Sequence, residues 1–260
     1  MTITVQGSRI GVASATRDWY DFQWLITLGC TKHSEGCRYC SAATQIARSP
    51  SLQRFAQLRD GNPHNGNWTG FVETFPERLP TASQFAEGQK IFVDSASDLF
   101  HEKVPEPFLD AAFDAMSKSK ATFGVLTKRS ERLREYLRGR IVPRNIWVGV
   151  TVESPIYESR IDDLLQINAR VRWVSAEPLL GELSLAPWLG PLDVSWVVAG
   201  PELGEHARPC HSEWMRKIAV ECTMAKVPFF TKHLLDGEAI REYPDGQEKD
   251  SLPGTAGGSP

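Results

Sequence analysis

The stretch Thr122-Phe-Gly-Val-Leu-Thr127, then Ser130-Glu-Arg-Leu-Arg-Glu-Tyr-Leu137, then Ile146-Trp-Val-Gly-Val-Thr151, indicates the fold class of this chain. The first and third runs are short, apolar and rich in β-branched and aromatic residues, which predicts strands. The middle run has its apolar residues at helical spacing. A strand, a helix and a second strand in this order predict a parallel pair joined by a crossover helix.

The same alternation continues in both directions along the chain. Further strands are predicted at residues 24–27, 91–94, 171–175, 194–199 and 228–231, with a weaker one at 71–74. Further helices are predicted at residues 106–119, 157–166 and 212–225. The predicted strands are apolar throughout, which is typical of a sheet covered on both faces. We therefore predict an α/β fold, a full or partial TIM-like (βα) barrel with parallel strands and outer helices.

Length and composition limit the organisation of the chain. A barrel of 260 residues is ordinarily one domain, and we predict that residues 1–235 form it, with a cysteine loop at 29–41 and an insertion at about 60–70. Residues 236–260 are polar, and we expect them to form a C-terminal tail. No run approaches the roughly 18 apolar residues of a membrane span, so we expect a cytoplasmic protein without a membrane partner. The net charge of −3 gives no general attraction to nucleic acid.

Three of the five cysteines are close together in Gly29-Cys-Thr-Lys-His-Ser-Glu-Gly-Cys-Arg-Tyr-Cys40. Cys30, Cys37 and Cys40 could hold a 4Fe-4S cluster with one open iron. They could instead form a zinc site that His33 closes, since structural zinc takes four ligands. Buried thiols without a ligand are a third interpretation. The odd number of cysteines disfavours a disulfide framework.

Polar side chains follow the carboxyl ends of the predicted strands. In (βα) barrels this rim builds the active site, and the cysteine loop, which follows the first strand, falls on the same rim. Lys128 could neutralise a carboxylate or phosphate there, and Asp98 could orient a substrate. Candidate cofactor contacts on the rim are Ser95, Ser97, Glu153, Glu177 and Glu202.

The cysteine loop resembles that of the radical S-adenosylmethionine superfamily, which carries an aromatic residue just before the last cysteine, as Tyr39 does here. The first spacing in this chain is six residues, whereas three are usual. Longer runs resemble the phage-associated three-cysteine-motif proteins, a family of largely unassigned function that is radical-S-adenosylmethionine-like and distantly similar to spore photoproduct lyase. The matching runs include Ile91-Phe-Val-Asp-Ser-Ala-Ser-Asp-Leu-Phe-His101, Trp147-Val-Gly-Val-Thr-Val-Glu153 and Trp173-Val-Ser-Ala-Glu-Pro-Leu-Leu-Gly181. The run Ala199-Gly-Pro-Glu-Leu-Gly204 departs from the family, which tends to read Gly-Gly-Glu-Ser-Gly.

The resemblance implies an enzyme with a 4Fe-4S cluster and S-adenosyl-L-methionine as cofactors. Cys30, Cys37 and Cys40 would hold the cluster, and Tyr39 would lie near the adenine. A 5′-deoxyadenosyl radical would abstract hydrogen from a substrate, and the phage association suggests a nucleobase or nucleotide in DNA modification or repair. If duplex DNA were the substrate, residues 60–70 and the basic run 129–140 would be the candidate contacts. An electron donor such as flavodoxin or ferredoxin would be needed, in the host cytoplasm if a phage encodes the protein.

Two other classes of protein remain open from the sequence. One is a zinc-stabilised nucleic-acid or protein-binding module without redox chemistry. The other is a barrel hydrolase or transferase that uses Glu177, Lys128 and Asp98 without a cluster.

Overall fold

A computed structural model describes residues 18–232 and 238–245, together with the backbone of residues 11–13. The strands are β1 (Gly11–Ala13), β2 (Phe22–Trp24), β3 (Thr27–Leu28), β4 (Ala56–Leu58), β5 (Gly66–Trp68), β6 (Glu73–Thr74), β7 (Lys90–Val93), β8 (Thr122–Thr127), β9 (Ile146–Thr151), β10 (Arg172–Ala176), β11 (Trp196–Ala199) and β12 (Phe229–Thr231). The α-helices are α1 (Ser41–Ala47), α2 (Glu106–Ser117), α3 (Ser130–Leu137), α4 (Ser159–Leu165) and α5 (Ser212–Ala225).

The main sheet has the strand order β1-β2-β7-β8-β9-β10-β11-β12. β1 pairs antiparallel with β2, and every later pair is parallel. The seven parallel strands curl into a half-barrel with helices around it, which confirms the predicted partial barrel. The carboxyl ends of these strands therefore form one rim, where such folds place their sites.

The predicted first strand, residues 24–27, is divided in the structure. The carboxylate Oδ1 of Asp94 accepts hydrogen bonds from the backbone N–H groups of Ile26 and Thr27, each at 2.8 Å. Because these groups bond a side chain, the strand leaves the main sheet after Trp24. The continuation, β3, pairs with β6, so the weak strand predicted at 71–74 belongs to a separate two-stranded sheet and is shorter than expected.

An aromatic cluster fills the concave face of the half-barrel. The Trp19 ring lies 5.2 Å from that of Trp173 and 5.5 Å from that of Trp196, measured between centroids. A Cβ atom on Gly124 would stand 2.2 Å from the Trp19 ring, so glycine is required where β8 meets this indole. The convex face packs on the helices, and the predicted apolar stripe of α2 is buried there. Trp147, Trp173 and Trp196, which lie in the predicted strands, are therefore core residues.

Part of the predicted tail lies against the sheet. Tyr243 is 3% exposed and stacks on Trp196, whose indole N–H donates to the carbonyl of Glu242 at 2.9 Å. Arg241 forms a bridge with Phe230 of β12. The remainder of that prediction, residues 236–237 and 246–260, lies outside the described residues. In the described part of the chain, no helix is both long and apolar enough to traverse a bilayer.

Candidate functional site

The cysteine loop begins at a fixed point on the rim. Gly29 has φ +95°, and a Cβ there would stand 2.0 Å from the Phe71 carbonyl oxygen, so only glycine fits. The Gly29 carbonyl accepts a hydrogen bond from Ser97 Oγ at 2.6 Å. Ser97 Oγ also accepts from Thr27 Oγ1 at 2.7 Å. Ser97, predicted as a cofactor contact, thus holds the start of the loop.

The three loop thiols line one cavity of about 170 Å³. All three are free, and each is partly buried. Asp94, Ser95, Ser97, Asp98, Lys128 and Arg129 line the same cavity. Among the described residues, no group of three or more His, Cys, Asp or Glu side chains is placed to hold a single metal ion. His33 is exposed on the loop.

The surroundings of the thiols disfavour bare thiolates. Burial raises the pKa of Cys30 to about 12, Asp98 adds to this rise, and Arg129 opposes it. Burial likewise raises the pKa of Cys40, against the lowering effect of the Ala43 backbone N–H. A cationic iron or zinc centre would replace these protons, because thiolates are the species that bind such metals.

Arg129, the first residue of the basic run 129–140, is buried at the loop. Its side chain is 3% exposed, and Nη1 lies 2.8 Å from Asp98 Oδ2 and 3.8 Å from Cys30 Sγ. Nη2 donates to Thr31 Oγ1 at 2.8 Å, and Nε donates to Glu102 Oε1 at 2.9 Å. Burial leaves little of the Arg129 side chain open to a DNA backbone, and the predicted DNA contact by the rest of the basic run stays a prediction. The position of this residue directly after β8, on the rim, is the signal that could have found it.

Asp98, predicted as catalytic, is occupied by structural bonds. Its Oδ1 accepts from Thr127 Oγ1 at 2.7 Å and from the Phe100 backbone N–H at 2.9 Å, and its Oδ2 accepts from Arg129. The carboxylate lines the cysteine cavity but is 5% exposed. In this arrangement Asp98 fixes the direction of the Arg129 guanidinium.

Glu153 joins the cysteine loop to the barrel. It is fully buried at the end of β9, where Oε2 accepts from Arg160 at 2.8 Å and Oε1 lies 3.4 Å from Lys128 Nζ. Ser34 Oγ donates to Glu153 Oε1. A Cβ on Gly36 would stand 2.4 Å from the same oxygen. Burial raises the pKa of Glu153, but the charges of Lys128 and Arg160 outweigh it and the net shift is downward.

A second cavity, of about 230 Å³, adjoins the first. The two share Cys40, Ala42, Phe92, Ser95, Leu126, Lys128 and Thr151 as lining residues. The second cavity also contains the predicted contacts Tyr39, Glu177 and Glu202. The structure thus brings the predicted cluster ligands and most predicted cofactor contacts into two connected spaces. Ser97 lines the cysteine cavity, whereas Glu153 lines neither cavity. The predicted contact of each residue with a cofactor stays a prediction.

Charged pairs form the walls of the second cavity. Lys232 Nζ lies 2.9 Å from Glu177 Oε2, and Glu177 precedes a cis peptide to Pro178. Glu202 Oε2 accepts from Arg208 Nε at 2.8 Å, and its Oε1 accepts from Arg208 Nη2 at 2.6 Å. Burial lowers the pKa of Lys232, while Glu177 and Asp18 raise it, and the net shift is upward. Side chains of both charges are therefore fixed on the walls of this cavity.

The insertion at 60–70 belongs to a hairpin of β4 and β5 that packs on α1. Gly66 N–H donates to Thr44 Oγ1 at 2.9 Å, and a Cβ on Gly66 would stand 2.4 Å from the Thr44 backbone. At the tip, Asn62 Nδ2 lies 3.3 Å from His206 Nε2. His206 also packs on Tyr39, with ring centroids 5.5 Å apart. The hairpin therefore contacts the loop that walls the second cavity.

Comparison with known proteins shows the same fold in spore photoproduct lyase. Its cysteine-to-serine mutant matches with a TM-score of 0.58 and 10% identity, covering 88% of this chain and 80% of that one. Its complex with dinucleoside spore photoproduct matches with a TM-score of 0.54 and 10% identity, covering 86% and 78%. No curated protein sequence matches. The family model described as "Protein of unknown function (DUF5131)" matches residues 14–250.

Proposed function

The chain belongs to the DUF5131 family, and we propose that it is a radical S-adenosylmethionine enzyme. The observation that carries the proposal is the shared cavity of Cys30, Cys37 and Cys40 on the rim of a half-barrel like that of spore photoproduct lyase, itself a radical S-adenosylmethionine enzyme. Three free thiols are the ligand set of a 4Fe-4S cluster with one open iron. The adjoining cavity, which shares Cys40 and Lys128 with the first, would hold the second cofactor.

The three thiolates would hold the cluster, and Arg129 and Lys128 would offset their negative charge. The chemistry supplied by a cluster of this kind is one-electron cleavage of the S–C5′ bond of S-adenosylmethionine, which gives methionine and a 5′-deoxyadenosyl radical. A protein contributes orientation, electrostatics and exclusion of side reactions to such chemistry. The electron would come from a donor such as flavodoxin or ferredoxin.

Residues of the second cavity suit the polar ends of S-adenosylmethionine. Lys128 supplies positive charge for the methionine carboxylate, and Glu177 accepts hydrogen bonds from the amino group or from ribose hydroxyls. Glu202, fixed by Arg208, supplies a second acceptor. Tyr39, which lines this cavity, packs beside the adenine. Each of these contacts is part of the proposal.

The aromatic cluster below the cavity excludes water from the barrel interior. Trp19, Phe92 and Leu126 line the floor of the second cavity, and Trp173 and Trp196 lie in contact with Trp19. A packed apolar floor leaves the rim as the side from which a substrate enters. This protects a reactive carbon radical from solvent.

The substrate that we propose is a nucleobase or nucleotide, in DNA modification or repair. Its support is the resemblance in sequence to phage-associated three-cysteine proteins and the fold shared with spore photoproduct lyase, one of whose structures holds a dinucleoside photoproduct. If the target base belongs to duplex DNA, it must leave the stack to reach a recessed cavity.

The test of the cluster is the iron and sulfide content and visible spectrum of anaerobically reconstituted protein. We expect about four irons per chain and a broad absorption band near 400 nm, both lost when Cys30, Cys37 and Cys40 are replaced by alanine. The matched control replaces Cys210 and Cys222, which lie outside the loop, and should keep both signals. Bound zinc without that band would overturn the proposal and favour the zinc-stabilised module.

A further inference from the structure

Arg129 is held on three sides at the cysteine loop. Asp98, Glu102 and Thr31 each accept a hydrogen bond from a different part of its guanidinium group, at 2.8 to 2.9 Å. The remaining near contact of Nη1 is Cys30 Sγ, at 3.8 Å. The geometry therefore aims a permanent positive charge and an N–H donor at one specific thiol of the three.

The direction of this donor is set in advance by the fold. Asp98 is itself held by Thr127 Oγ1 and by the Phe100 backbone N–H. With 3% of its side chain exposed, Arg129 has little freedom to turn toward a substrate in the cavity. These contacts leave Arg129 able to act on the Cys30 sulfur rather than on a substrate.

We infer that Arg129 is a positioning residue that raises the reduction potential of the cluster, by donating to the Cys30 sulfur and placing a cation beside it. This rests on the proposed function. In the step concerned, the three thiolates would hold a cluster that takes up one electron from a reduced flavodoxin or ferredoxin, with no bond broken and no proton moved. The added negative charge strengthens the N–H···S hydrogen bond and the attraction to a nearby cation. The reduced state is therefore stabilised more than the oxidised state.

Asp98 acts in the opposite direction on the same sulfur. Its buried carboxylate lies beside the guanidinium, and a negative charge near the cluster disfavours a gained electron. Glu102 makes an equivalent contact to Arg129, but its side chain is 62% exposed, and water screens its charge. Arg129, Asp98 and Glu102 therefore belong to one hydrogen-bonded group but differ in the sign or the size of their effect on the reduction potential.

The experiment is an anaerobic redox titration of reconstituted protein, followed by electron paramagnetic resonance of the reduced cluster. Arg129→Gln should shift the midpoint potential to more negative values. Asp98→Asn should shift it to less negative values, and Glu102→Gln should leave it near the wild-type value. Iron content is measured first for every variant, so that each potential refers to a loaded cluster.

Opposite signs for Arg129→Gln and Asp98→Asn separate this effect from damage to the fold, which has no reason to move the potential both ways. Equal potentials for wild type and Arg129→Gln, or shifts of one sign in both variants, would overturn the inference and leave the proposed function intact. If Arg129→Gln cannot retain iron, the test depends on Asp98→Asn. A midpoint potential of Asp98→Asn that is not less negative than that of wild type would then overturn the inference. A wild-type protein without iron overturns both.

Discussion

At the residue scale, the site depends on a few buried polar side chains that join the cysteine loop to the barrel. The three cysteines were predictable, because close spacing alone brings thiols together. Arg129 and Glu153 were not predictable in their observed roles, since the sequence shows that a residue lies on the rim but not which way it turns. The buried contacts of Glu153 with Ser34 and Lys128 arise only when residues distant in the chain meet.

Replacing Glu153 tests the anchoring of the loop. Glu153→Gln removes the buried negative charge that Lys128 and Arg160 face, and breaking a buried pair costs about 3–5 kcal/mol. We expect a lower melting temperature and weaker retention of iron during gel filtration. The control, Glu182→Gln, breaks the exposed pair with Lys217 and should change neither quantity measurably. Full retention of iron and stability in Glu153→Gln would contradict the anchoring role.

Asp94 gives a test by pH. Burial raises the pKa of Asp94 to about 7. Between about pH 4 and 7 the native state keeps the Asp94 proton, whereas the unfolded state has lost it. Asp94 therefore lowers the free energy of unfolding increasingly as the pH rises through this range. Asn tolerates the φ of +54° found here and can accept the Ile26 and Thr27 N–H bonds.

The stability of Asp94→Asn relative to wild type should therefore increase from pH 5 to pH 7 and then level off. Urea unfolding at pH 5, 6, 7 and 8 measures this difference directly. A difference that does not change with pH would show that Asp94 ionises normally in the folded protein.

At the element scale, strands buried on both faces and the helices that cover them were predictable, and β8, β9, α3 and α5 have their predicted bounds. The short elements α1, β4 and β5 were not predicted. The short α1 and the β4–β5 hairpin depend on contacts with each other, since Gly66 meets the Thr44 backbone. The division of the first strand depends on Asp94, which lies far along the chain from the N–H groups that it binds.

Gly66→Ala tests the contact between the hairpin and α1. The new methyl group would overlap the Thr44 backbone, and overpacking of this kind costs about 1–3 kcal/mol. We expect the melting temperature to fall by several degrees. Gly200→Ala is the control, because its methyl group meets its neighbours at 3.5 Å or more. A stability of Gly66→Ala equal to that of the control would contradict the packing described here.

Gly36→Ala tests the fit of the cysteine loop against β9. Its methyl group would stand 2.4 Å from the Glu153 carboxylate, so either the loop or Glu153 must move. We expect reduced iron content after reconstitution, while far-ultraviolet circular dichroism stays near that of wild type. Iron content equal to that of Gly200→Ala would indicate that the loop tolerates this displacement.

At the scale of the whole molecule, the half-barrel brings two connected cavities to one rim, and its concave face is closed below by aromatic side chains. The sequence predicted the barrel and the rim, because strand periodicity and rim position are local properties of the chain. It did not predict the aromatic cluster, which combines Trp19 before β2 with Tyr243 after β12. Contacts between the two ends of a chain leave no local pattern.

The most direct test of the central claim is cleavage of S-adenosylmethionine. Reconstituted protein is incubated anaerobically with dithionite and S-adenosylmethionine, and 5′-deoxyadenosine is quantified by chromatography, beside the variant that lacks Cys30, Cys37 and Cys40. The account predicts 5′-deoxyadenosine that depends on reductant and on the three cysteines. A protein that carries a full cluster and still forms no 5′-deoxyadenosine would contradict it.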